Sequence, residues 1–146
     1  MKHMNASDFY TGIQHIGIPT NDIEETIRFY ESLGFEMVYR TNNAGEEVAF
    51  LRARDLMIET YQNGQATLRV GAIDHIAIDV KDIDTLFAWM RERGYALLDE
   101  RVNSLPFWER GIRYFTISGA EPGEDRVLRE ALMAPPEKTR GRRRIG

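Results

Sequence analysis

Residues 13–38 and 73–98 carry one pattern written twice, sixty positions apart and without a gap. The first copy reads IQHIGIPTNDIEETIRFYESLGFEMV and the second IDHIAIDVKDIDTLFAWMRERGYALL. Identities fall at Ile13/Ile73, His15/His75, Ile16/Ile76, Ile18/Ile78, Asp22/Asp82, Ile23/Ile83 and Gly34/Gly94. A unit repeated at fixed spacing is a supersecondary motif that cannot cover its own apolar face, so a second copy is needed to finish the core.

Each copy gives the same local reading. Ile-x-His-Ile-x-Ile alternates and is β-branched, which predicts a strand. Asp22 and Asp82 follow, each placed to cap a helix start. Ile23, Ile27 and Tyr30 then recur at helical spacing, with Phe29 and Leu33 widening the stripe; Ile83, Leu86, Phe87 and Met90 do the same in the second copy. Gly34 and Gly94 stand where a left-handed helix cap is expected. Strands are predicted next at 35–39 and 95–99. Further strands follow at 48–51 and 56–61 in copy one, and at 112–117 and 127–132 in copy two. The linker is 62–72, with Gly64 and Gly71. The expected fold is therefore α+β, two βαβββ modules forming a cupped mixed sheet. Module one covers about 11–62 and module two about 73–133, together a single domain over 11–133.

The chain has 146 residues, one domain's worth by length. It has no cysteine, which excludes a disulfide framework, a thiolate nucleophile and Cys-ligated metal. Its net charge of −4 divides unevenly. The last ten residues, EKTRGRRRIG, carry five bases and one acid, a net of +4, while the rest holds 14 bases against 22 acids, a net of −8. The near absence of apolar residues makes 134–146 a basic tail expected to be disordered. Residues 1–10 form an N-terminal extension. The acidic body argues against nucleic acid as a partner. No apolar run approaches a membrane span and no signal-peptide core is present, so no membrane is expected and the placement is cytoplasmic. Dinucleotide, P-loop and HExxH motifs are absent.

Chemistry concentrates on few residues. His15 and His75 hold one register in the two copies, so strand alternation aims both at one shared face, opposite Ile16 and Ile18 in the first. Neutral imidazole favours zinc, iron, nickel and similar ions. The alternative is an inherited packing position. Glu59 lies mid-strand in Leu-Met-Ile-Glu-Thr-Tyr, where Met57, Glu59 and Tyr61 share one face. An unpaired carboxylate there is costly, so Glu59 either joins the histidines or pairs with Arg52 or Arg54. Phe107 and Trp108 lie in a loop that is either a lid over an apolar ligand or a plug. Arg113 either binds a substrate carboxylate bidentately or pairs with Glu109 or Glu130.

These residues resemble the vicinal oxygen chelate (VOC) superfamily, which includes glyoxalase I, bleomycin- and fosfomycin-resistance proteins and extradiol dioxygenases. The resemblance rests on the paired modules, His-Ile-Gly-Ile with Asp-Ile…Phe-Tyr…Leu-Gly-Phe in copy one, and Asp-His-Ile-Ala-Ile in copy two. Within it, Leu105–Ile117 is similar to small bacterial lactoylglutathione lyase-related proteins. The resemblance implies a glyoxalase I-like metal-dependent lyase or isomerase acting on a small carbonyl or hemithioacetal. It implies a divalent ion (Zn, Ni, Fe or Mn) on His15, Glu59 and His75, with Glu59 as proton shuttle and Phe107, Trp108 and Arg113 near the substrate. It also implies a possible homodimer. Non-catalytic binding of the resistance-protein kind, and a dioxygenase with iron on the same His₂-Glu set, are the competing classes. The family's fourth ligand comes from the last strand of module two. Matching Val127 to Ile58 sets Leu128 against Glu59, so the expected carboxylate is missing. Glu130 is two residues on, roughly 6.6 Å along the same face, a candidate substitute.

Overall fold

The computed structural model describes residues 4–69, 71, 73, 75–107 and 110–120, and the backbone of 125–131. The chain divides into two compact units, Met1–Ala66 and Thr67–Gly146. The division falls inside the expected linker. The basic tail lies outside the described residues.

A single turn of 3₁₀ helix, Ala6–Phe9, precedes the first unit's sheet. The elements of unit one are β1 (Ile16–Thr20), α1 (Ile23–Ser32), β2 (Glu36–Asn43), β3 (Glu46–Ala53) and β4 (Leu56–Gln62). The sheet order is β1-β4-β3-β2. The β2–β3–β4 meander is antiparallel, and β4 closes the unit by pairing parallel with β1. This is βαβββ, as the repeat predicts.

Asp22 caps α1 by accepting from the Glu25 amide at 3.1 Å, which satisfies one of the amides a helix start leaves unpaired. The helix stops at Gly34, whose φ of 95° is cheap only for glycine. There the Phe35 amide turns back to the Tyr30 carbonyl at 3.0 Å. Ile23, Ile27 and Tyr30 pack with Phe35, Ala49, Leu51 and Ile58 into the unit's core. Gln62, at the end of β4, accepts from the Ile23 amide at 2.8 Å and so ties strand to helix.

Unit two repeats the plan with β5 (His75–Asp79), α2 (Ile83–Glu92), β6 (Asn103–Leu105), β7 (Ile112–Ser118) and β8 (Asp125–Ala131), in sheet order β5-β8-β7-β6. Ile83, Phe87 and Met90 of α2 are buried, as are Ile112, Phe115 and Ile117 of β7.

Two details of unit two's strands depart from expectation. Residues 95–99 form no strand beyond an isolated bridge between Leu97 and Ile117. The Asp99 carboxylate takes the Thr116 amide at 2.7 Å, so a side chain occupies a donor that a strand would need. Strand β6 starts only at Asn103. The second detail is register. Gly17 pairs with Glu59, whereas Ala77, sixty positions on, pairs with Val127. Val127, not Leu128, therefore takes the place of Glu59. Leu128 takes that of Thr60, opposite Phe115. A one-residue slip exchanges the faces of a strand, so Glu130 falls at the register position of Gln62 and not on Glu59's face. The hydrophobic match of Val127 with Ile58 misplaced the strand because both faces of β8 offer an aliphatic residue.

A candidate His–Glu site on the first module

Side chains of β3 and β4 alternate between α1 and the other face of the sheet. Leu51, Ile58 and Ala49 go to the helix. Phe50 and Glu59, paired across the two strands, go to the other face. His15 stands immediately before β1, not within it as expected. Its Nε2 lies 3.3 Å from Glu59 Oε1, with the two side chains 36% and 26% exposed. Glu59 thus takes neither Arg52 nor Arg54 as the partner in this contact.

The His15 ring is held from two further sides. Its Nδ1 meets the side-chain oxygen of Gln14. This contact turns Nδ1 away from Glu59 and leaves Nε2 facing it. The ring also sits edge-on to Phe50, centroids 5.6 Å apart and planes at 87°. An imidazole nitrogen facing a carboxylate oxygen at this distance is held by a proton or by a cation between them.

The donor chemistry can be tested against a metal. Bonds of about 2.0–2.2 Å at tetrahedral angles set two donor atoms roughly 3.4 Å apart. The 3.3 Å between Nε2 and Oε1 matches one edge of such a shell. Two donors do not complete it, and among the described residues no three His, Asp or Glu are gathered for an ion.

Further polar and aromatic groups share this face. Tyr61 follows Glu59 by two positions on β4. A Cβ added at Gly17 would stand 3.3 Å from the Tyr61 hydroxyl, a tight approach, and 3.8 Å from Glu59 Oε1, an ordinary contact, so the missing side chain gives room chiefly to Tyr61. Tyr39 lies opposite Phe50 on β2, ring centroids 6.2 Å apart. Sequence reasoning gave Gly17, Tyr39 and Tyr61 no role. Only the period-two pattern from Glu59 to Tyr61 could have flagged one of them.

The other expected site residues belong to unit two. His75 opens β5 and is exposed. Phe107 is 49% exposed, after β6. Trp108 lies outside the described residues, as does Glu109. Arg113 grips Asp84 of α2 with both guanidinium ends, at 2.8 and 2.5 Å. That is the ion-pair reading of Arg113, with Asp84 a partner the sequence did not single out; Glu109 and the side chain of Glu130 lie outside what is described. The paired Arg113 hydrogen bonds hold the Asp84 carboxyl below the usual aspartate range, against a smaller opposing desolvation.

A βαβββ unit present twice, with a His–Glu contact on the open sheet face of the first copy, defines a class. The chain belongs to the glyoxalase/bleomycin resistance protein/dioxygenase superfamily, whose family model matches residues 12–105. It is 34% identical over 116 residues to the uncharacterized protein YwbC of Bacillus subtilis (strain 168), covering 75% of this chain and 90% of that one. Among solved structures, a glyoxalase family protein from Enterococcus faecalis superposes with a TM-score of 0.71 at 22% identity, covering 84% of this chain and 99% of that one. A point mutant of the fosfomycin resistance protein FosX from Listeria monocytogenes, crystallised with Mn(II) and a dihydroxypropylphosphonic acid, gives 0.63 at 16% identity, with 84% and 94% covered. Among the described residues no helix is long and apolar enough to cross a membrane.

Proposed function

We propose that the chain is a metal-assisted lyase or isomerase of the glyoxalase I kind, acting on a small carbonyl or hemithioacetal. His15 and Glu59 are two ligands of one divalent ion (zinc, nickel, iron or manganese). The family resemblance implies His75, which holds His15's position in the repeat, as the third. The observation that carries this reading is the His15 Nε2–Glu59 Oε1 contact at 3.3 Å with Nδ1 turned to Gln14. When bound, such an ion supplies Lewis-acid polarisation of a substrate carbonyl. The Glu59 carboxylate takes the proton from the carbon beside that carbonyl and returns it to the neighbouring carbon. Gln14 holds the imidazole so that Nε2, not Nδ1, faces the carboxylate. Phe107, Trp108 and Arg113 remain candidates for substrate contact, the last only if its grip on Asp84 is exchanged.

A second reading, non-catalytic binding of a small molecule, has one observation in its favour. Val127 stands at Glu59's register position, leaving a single carboxylate where a two-base proton shuttle wants two. Metal content of protein purified without added metal, followed by titration with Zn²⁺ and Mn²⁺, separates the two. The enzyme reading expects one ion per chain, weakened at least tenfold by His75→Ala and by Glu59→Gln. Failure of either ion to bind at millimolar concentration leaves the binding reading. Unchanged affinity in His75→Ala removes that residue from the site.

A further inference from the structure

The face opposite α1 carries a row that runs straight across the sheet of unit one. Gly17, Glu59, Phe50 and Tyr39 are consecutive cross-strand partners on β1, β4, β3 and β2. Its two ends differ in chemistry. At the β1 end the Glu59 carboxylate and the Tyr61 hydroxyl both stand within 4 Å of where a Gly17 Cβ would be. At the β2 end the rings of Phe50 and Tyr39 lie 6.2 Å apart, with planes inclined at 49°. Tyr39 is 58% exposed, so a large part of its phenol is not covered by the chain's own packing.

This polarity is specific to the first copy. The register positions that answer to Gly17, Glu59 and Tyr61 in unit two are Ala77, Val127 and Arg129. The row is thus not a requirement of the βαβββ plan, which stands without it. An acceptor and a hydroxyl donor at one end, and the exposed Tyr39 ring beside a half-buried Phe50 at the other, complement a flat molecule with an oxygen-bearing head. Aromatic faces select offset or edge-on aromatic partners over aliphatic ones of equal area, and a polar pair in a partly desolvated setting fixes orientation.

We propose that unit one binds a small planar aromatic ligand, its ring on Phe50 and Tyr39 and its hydroxyl or carbonyl oxygens between Glu59 and the Tyr61 hydroxyl beside Gly17. This rests on the small-ligand reading of the site and names its ligand class, but it does not depend on the metal. Gly17 and Tyr39 are specificity-determining residues, one keeping the polar end open and the other supplying the ring platform.

The test uses a matched pair of probes, phenacyl alcohol and hydroxyacetone. They share an α-hydroxyketone head and differ in carrying phenyl or methyl. Binding to the full chain is followed by amide NMR titration in the presence of EDTA, and again with Zn²⁺ in place of EDTA. We expect the phenyl compound to bind at least tenfold more tightly in both conditions, with the Gly17, Phe50 and Tyr39 amides shifting. Tyr39→Ala should bring the two affinities within a factor of about three, and Tyr39→Phe should restore the difference. Gly17→Ala and Tyr61→Phe should weaken both compounds alike. Ala77 shows that a repeat partner of this strand carries a Cβ, and Tyr39 is exposed, so a folded variant is available for each end. Equal affinity for the two probes, or shifts confined elsewhere, overturns the proposal. So does a dimer in solution whose Tyr39 amide ignores both compounds, which assigns the row to a second copy of the chain. Absence of metal binding overturns the enzyme reading alone and leaves the phenyl preference to be scored on its own.

Discussion

Asp84 and Arg113 stand 29 positions apart and meet through two hydrogen bonds on the helix side of β7. The Asp84 side chain is 66% exposed and its carboxyl titrates low because of those bonds. A carboxyl whose folded pKa is depressed contributes stability above its unfolded value, and loses it as pH falls through the folded value. Asp84→Asn should therefore lower the urea midpoint at neutral pH, modestly, since exposed pairs are weak. The difference from the parent should close as pH falls below the usual aspartate range. A difference that persists at low pH would show that the substitution acts through packing and not through the charge. The partner of Arg113 was not legible in the sequence. Asp84 lies 29 positions away, and only the placement of α2 over β7 brings it to the guanidinium.

The two helices show how far one pattern can be trusted. Asp22 and Asp82 are identical in sequence and equivalent by repeat. Asp22 is extended and caps α1, while Asp82 sits at φ 51° and makes no side-chain cap. Asp22→Ala should cost about 1 kcal/mol, the usual value of a lost cap. Asp82→Ala should lose no cap, and Asp82→Gly should stabilise by up to about 1 kcal/mol because it relieves a left-handed residue. Thermal or urea unfolding of the three variants checks the order; equal losses from the two alanines would contradict it. Strand existence was legible wherever alternation met β-branched residues, as in β1, β3, β4, β5 and β7. It failed at 95–99, where Asp99 and Glu100 follow the apolar stretch and the Asp99 carboxylate replaces a backbone partner. Alternation does not report such a side-chain substitution.

Over the whole molecule, the repeat made most of the fold readable before any coordinate. Among its identities, Ile23/Ile83 are core positions and Gly34/Gly94 close the helices, which are places a βαβββ plan constrains. The site was half readable. His15 and Glu59 were singled out by register and by the cost of a mid-strand carboxylate, and they meet. Gly17, Tyr39 and Tyr61 were not, because their significance lies in cross-strand neighbours, and pairing between strands distant in the chain is invisible to local pattern. The same blindness misplaced β8 by one residue, since an aliphatic stretch fits either phase.

The parallel pairing of β1 with β4 has a kinetic meaning. It joins Ile16 to Ile58, whereas the β2–β3–β4 meander needs only short turns. Closing the longer loop costs more entropy before any contact repays it, which predicts that the meander forms first and β1 arrives last, carrying His15 to Glu59. Contacts absent from the transition state govern unfolding and leave refolding untouched. A ligand that bridges the two residues should therefore slow the unfolding arm of a chevron while the folding arm stays where it was; faster refolding would mean that β1 docks early. In that order of events, the chemistry of this module would be the last thing it builds and the first thing it gives up.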